Sequence, residues 1–138
     1  MTAVRSIMTG GAECVGVDES VLDASEKMTR LSVGALPICG NDNRLKGMIT
    51  DRDVVVKVLA QGRDPASTRA SEIQQGHALT VQADDDPHEA MRTMTQHKVR
   101  RLPVIDGHTL VGMVAQADVA RAMPHPEVGD LVAALSTD

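Results

Sequence analysis

Gly47-Met48-Ile49-Thr50-Asp51-Arg52-Asp53 is the stretch whose reading decides the fold. It combines a glycine, a short apolar strand and a polar helix start. Glycine lets another backbone or a ligand come close. Thr50 and Asp51 are helix-capping types, and the residues after them predict a helix over 52–59. A strand that runs into a helix with a hydroxyl and a carboxylate at the junction suits a ribose-phosphate. Amides and the helix dipole attract phosphate, and Asp53 accepts hydrogen bonds from ribose hydroxyls. The junction recurs as Gly112-Met113-Val114-Ala115-Gln116-Ala117-Asp118, with the hydroxyl lost.

Outward from this pair the whole chain repeats. Leu36-Pro37-Ile38 returns as Leu102-Pro103-Val104, an offset of 66 (103 − 37). At that offset Ile7 meets Ile73, Asp18 meets Asp84, Ala24 meets Ala90, Met28 meets Met94 and Val33 meets Val99. One residue is then dropped in a turn, so Gly47 meets Gly112 and Asp53 meets Asp118 at 65 (118 − 53). The pattern is a tandem duplication.

Each copy reads strand, helix, strand, turn, strand, helix. In the first, 13–17 is a short strand, and Ser20 caps a helix with Val21, Leu22, Ala24, Met28 and Leu31 on one face. A strand over 34–39 follows; Pro37 has no N–H to donate and is expected at a strand edge or start. After a turn at 40–43, residues 45–49 return, and the helix from 52 ends near Gly62. In the second copy 79–81 is a strand. Asp86, Pro87 and Glu89 form a strong helix start, leading to Ala90, Met91, Met94 and His97. Strands over 99–105 and 109–114 flank the turn Asp106-Gly107, and a helix over 116–123 stops at Pro124. The domain reading is 4–61 and 70–123 as repeats, 62–69 as linker, and 124–138 as a tail with weaker helical character, a candidate for packing on a partner subunit. A repeat of about 60 residues buries too little core alone, so the two are expected to fold as one α/β unit.

Composition removes several functions. The net charge of −5 argues against a nucleic-acid surface, which needs clustered Lys and Arg. An aromatic content of 0% excludes base-stacking platforms. No apolar run approaches the roughly 20 residues that span a bilayer, and residues 1–8 show no apolar leader, so a cytoplasmic address is the default expectation. The histidines His77, His88, His97, His108 and His125 lack metal-like spacing, and no nucleophile–base pair stands out, so neither a metal site nor an enzyme is expected. Cys14 and Cys39 form no C-x-x-C pair; two buried thiols are the plain reading of the residues alone.

Strand, amphipathic helix, Leu-Pro-(Ile/Val), acidic turn and Gly-Met-(Ile/Val)-x-x-x-Asp together resemble the CBS domain. Two copies, over roughly 4–122, resemble the tandem arrangement called a Bateman module, here the short stand-alone type of the hypoxic response proteins. The resemblance implies an α/β fold of two βαββα repeats packed as one pseudo-twofold module. It also implies regulatory rather than catalytic work, homodimerisation, an unknown protein partner, and an adenosine-containing ligand (AMP, ATP or S-adenosylmethionine) between the repeats. The family's glycine, apolar, apolar, Ser or Thr, two residues, Asp motif is met by Gly47, Thr50 and Asp53; Gly112 and Asp118 meet it in part, with Ala115 in place of the hydroxyl. Basic residues before Leu-Pro contact phosphate in some members, and Arg100 and Arg101 stand there, whereas Gly34 and Ala35 stand there in the first copy. The implied ligand set is thus Gly47, Thr50, Asp53, Arg100, Arg101, Asp118 and the prolines Pro37 and Pro103. For each there is a structural alternative: Thr50 as a helix cap only, Asp53 as an ordinary helix residue, the arginines as cover for an apolar edge or as surface ion pairs. In the family's fold the first two strands of a repeat are neighbours, which implies that Cys14 and Cys39 come within disulfide reach. Such a bond is unusual in the cytoplasm. A ligand-free structural or interaction protein with a degenerate nucleotide site is the alternative function.

Overall fold

The computed structural model describes residues 2–74, 78–123 and 125–136, and for 125–128 the backbone alone. In chain order its elements are α1 (Val4–Ile7), β1 (Thr9–Gly10), β2 (Val15–Gly16), α2 (Val21–Leu31), β3 (Ala35–Cys39), β4 (Leu45–Thr50) and α3 (Asp51–Asp53), which runs on as a π-helix (Val54–Leu59). Then come α4 (Ala70–Ile73), β5 (Val81–Gln82), α5 (Pro87–His97), β6 (Arg101–Asp106), β7 (Thr109–Ala115), α6 (Gln116–Ala122) and α7 (His125–Leu135). The βαββα order occurs twice, and each copy is preceded by a helical turn that periodicity over four residues is too short to announce.

The chain forms two compact units that are not the two repeats. One is contiguous, Glu13–Ala78; the other is split, Met1–Ala12 with Leu79–Asp138. The leading turns are exchanged. Val4 of α1 is fully buried in the core of the split unit, and Ala70 and Ile73 of α4 are buried in the contiguous unit. Otherwise the cores match position for position: Ala24 with Ala90, Met28 with Met94, Leu36 with Leu102, Ile38 with Val104, Ile49 with Val114, all buried. Burying each such aliphatic side chain stabilises by roughly 1.5–3 kcal/mol.

The contiguous unit has a sheet in the order β2-β3-β4, with β2 parallel to β3 and β3 antiparallel to β4. The split unit has the order β1-β7-β6-β5, in which β5 to β7 repeat that pattern and β1 adds an antiparallel edge. Pro37 is not at an edge or start but third of five residues in the central strand. The Asp51 amide donates to the Gly34 carbonyl at 2.9 Å, which sets the ladder's phase and turns the nitrogen of residue 37 away from β4. On that side β2 begins pairing only at Ile38, so no donor is missed. Pro103 has the same setting, with the Gln116 amide on the Arg100 carbonyl at 2.9 Å and β5 pairing from Val104.

Ser20 closes a reciprocal cap on α2, its hydroxyl accepting from the Asp23 amide at 3.0 Å while Asp23 accepts from the Ser20 amide at 3.2 Å. Leu22 does not share the buried face: it is 42% exposed, whereas Val21, Ala24 and Met28 follow the three-and-four spacing of a single stripe. On α5 the Asp86 carboxylate accepts from the His88 amide at 2.8 Å, and Glu89 turns to Arg92 instead of completing the cap. On α4 the Glu72 carboxylate accepts from the Arg69 amide at 2.7 Å, which with Arg63 holds it below the usual carboxylate range. The tail forms α7, and its Leu131 and Leu135 enter the core of their own unit. Pro124, the expected helix stop, lies outside the described residues. Cys14 and Cys39 are joined by a disulfide, Cα atoms 5.7 Å apart, so the reading of two free buried thiols gives way.

Candidate functional site

At the junction of β4 and α3 the Thr50 hydroxyl accepts from the Asp53 amide at 3.1 Å, and the Asp53 carboxylate accepts from the Thr50 amide at 2.9 Å. The two residues named from the sequence therefore form a reciprocal helix cap. Asp53 is only 2% exposed, and its second oxygen faces the Lys57 ammonium at 3.4 Å. Lys57 also donates to the Ile73 carbonyl at 3.2 Å, tying the junction to α4. Lys57 was not among the expected site residues, although its i,i+4 spacing from Asp53 is the usual one for a helical ion pair.

The second junction keeps half of this. Asp118 accepts from the Ala115 amide at 2.8 Å, but Ala115 has no hydroxyl to return the bond. Its other oxygen faces Arg121 at 2.5 Å, so an arginine three residues on takes the place of the lysine four residues on. Ala115 pairs across the ladder with Arg101, and Thr50 with Ala35. The cation and the hydroxyl occupy neighbouring ladder positions, yet each unit carries one of them. Arg101 is exposed, while Arg100 donates to the Leu135 carbonyl at 3.4 Å and so helps to seat the tail. Pro37 and Pro103 are buried in their central strands.

The two glycines meet different neighbours. A methyl group on Gly112 would come within 2.5 Å of the Thr9 carbonyl oxygen and 2.7 Å of the Met8 sulfur. On Gly47 it would meet the Gln74 side-chain oxygen at 2.6 Å; that oxygen is buried without a hydrogen-bond partner among the described residues. A carboxamide can swing aside, whereas the carbonyl of β1 cannot move without its strand. Gly112→Ala is expected to cost about 1–3 kcal/mol and Gly47→Ala less. Urea midpoints of the two variants check this, and equal midpoints would contradict it.

Among the described residues no three His, Cys, Asp or Glu side chains gather to hold a metal ion, and no helix is long and apolar enough to cross a membrane. His77 lies outside the described residues.

Duplicated βαββα units, the Leu-Pro central strands and the glycine-to-aspartate junctions define a tandem regulatory module. Residues 4–60 and 70–125 each match the CBS domain, and the chain belongs to the CBS-domain family, whose modules regulate rather than catalyse. Hypoxic response protein 1 of Mycobacterium tuberculosis is 44% identical over 135 residues, covering 98% of this chain and 94% of that protein. The CBS domain-containing protein YhcV of Bacillus subtilis is 36% identical over 120 residues, covering 87% of this chain and 84% of its own length. The crystal structure of Hypoxic Response Protein I with two coordinated zinc ions gives a TM-score of 0.82 at 46% identity, over 89% of this chain and all 100% of that one. That of CBSX2 in complex with AMP gives 0.77 at 25% identity, over 88% of this chain and 96% of that one.

Proposed function

We propose that this protein is a stand-alone CBS-pair sensor that takes an adenine nucleotide at the Gly47–Asp53 junction and signals to a protein partner as a homodimer. The observation that carries the reading is the hydroxyl–carboxylate pair Thr50 and Asp53, held in fixed geometry by the cap at the end of β4. A relative of the same fold is described in complex with AMP. Dimerisation is supported by the exposed apolar side chains Val55, Val56 and Leu59 on the helix that follows the junction.

The near-complete burial of Asp53 favours a second reading, a CBS-shaped interaction protein whose junction is purely structural. Calorimetry with AMP, ATP and S-adenosylmethionine separates the two. One site per chain is expected, and Thr50→Ala should weaken it about tenfold or more, since a hydrogen bond to a charged group is worth roughly 1.5–3 kcal/mol. Light scattering on the same sample should give about twice the 14.7 kDa chain mass. If none of the three ligands binds below about 1 mM, the structural reading replaces the sensor.

A further inference from the structure

We propose that the Cys14–Cys39 disulfide is a reducible latch on β2: opening it frees the first passage of the chain between its two units while both units stay folded. The duplication supplies the comparison. β2 and β5 are both two-residue strands, pairing in parallel through Val15↔Ile38 and Gly16↔Cys39, and through Val81↔Val104 and Gln82↔Ile105. The positions matching the cysteines are Thr80 and Ile105, so β5 keeps its place with no covalent bond.

Several main-chain features hold β2 less well than β5, although the Lys27 ammonium on the Cys14 carbonyl at 2.9 Å is a tie that β5 lacks, with Thr93 at the matching position. β2 contains Gly16 where β5 has Gln82, and glycine weakens a strand through backbone entropy. The Val17 amide reaches the Cys39 carbonyl at 3.2 Å, whereas the equivalent Ala83 amide reaches Ile105 at 2.9 Å. The Ala83 carbonyl also accepts from the Arg5 amide at 2.8 Å; Ser71, the counterpart of Arg5, makes no such bond among the described residues. Cys14 lies one residue before β2 and two after Ala12, where the chain leaves the split unit. The disulfide therefore secures the strand and the passage together. The β3–β4 ladder and the Thr50–Asp53 cap do not involve it.

The chemistry is thiol–disulfide exchange with a dithiol as reductant. Cys14 is half-buried and Cys39 is only 4% exposed, so Cys14 is the more exposed of the two residues and the one a reductant reaches first. A thiolate of the dithiol bonds to the Cys14 sulfur, and Cys39 leaves as a thiolate. The second thiol of the reductant then displaces Cys14 and closes its own disulfide. Two electrons pass to the cysteines, and two protons end on the Cys14 and Cys39 thiols. The Lys27 ammonium donates to the Cys14 carbonyl at 2.9 Å and pairs with Glu19 at 3.0 Å, so it holds the Cys14 main chain while the disulfide opens.

Hydrogen exchange on the full chain, oxidised and after dithiothreitol, tests the latch, with thiol alkylation to show that the bond has opened. Protection of the Gly16 and Val17 amides should fall about tenfold or more, and that of Gln82 and Ala83 should not change. The double variant Cys14→Ser, Cys39→Ser, without reductant, should show the reduced pattern. The proposal is overturned if dithiothreitol yields no alkylatable thiols, if Gly16 and Val17 stay protected once both are alkylated, or if protection is lost throughout the chain.

Discussion

A chain lacking residues 1–12 is expected to fail to fold its 79–138 part while 13–78 retains structure. Val4 is fully buried in the core of that part, Ile7 and Met8 pack against it, and β1 pairs with β7. Two main-chain bonds, from the Val4 amide to Asp85 and from the Arg5 amide to Ala83, both 2.8 Å, are lost as well. At roughly 1.5–3 kcal/mol for each buried aliphatic side chain, the loss is on the order of the whole stability of a small domain. Amide spectra of the truncated protein check this: resonances of β6 and β7 should collapse while those of β3 and β4 remain dispersed. A truncated protein with the full-length urea midpoint would refute it.

Leu131→Ala and Leu135→Ala should each destabilise by about 2–5 kcal/mol, because both side chains fill the core of the split unit at 1% and 7% exposure. Val132→Ala, at a position 41% exposed on the same helix, should stay within about 0.5 kcal/mol. Denaturant unfolding of the three variants measures this. If the tail instead served a partner subunit, the leucine variants would alter the mass in solution and leave the unfolding midpoint of the chain alone.

The duplication made the repeated βαββα order legible, because a fixed offset pairs buried positions that no single window would single out. Ala24 with Ala90 and Met28 with Met94 are such pairs. Thr50 as a cap is legible because a hydroxyl residue between a strand and a polar helix start is a local pattern with a local cause; that Asp53 and not Asp51 completes the cap depends on side-chain geometry. The central-strand place of Pro37 is not legible, because a proline's tolerance depends on ladder phase and on where the neighbouring strand starts, and neither is a property of residue 37. Leu22 reads as part of the buried face because it is apolar, although its angle on the helix takes it off the stripe. The partners of the two aspartates, Lys57 and Arg121, stand at readable spacings, but their engagement depends on side-chain geometry. Least legible was the exchange of α1 and α4, four-residue turns whose destination is set by packing alone.

That exchange has a consequence for the order of events during synthesis. The unit made of Glu13–Ala78 has all its parts once residue 78 has left the ribosome, so it can fold while the rest is being made. Residues 1–12 emerge before that unit and must wait, with Val4, Ile7 and Met8 uncovered, until Val119 and Leu131 of the same core have been added. Residues translated before the Glu13–Ala78 unit thus find their place after it, and their apolar side chains are ones a chaperone or protease meets on the nascent chain.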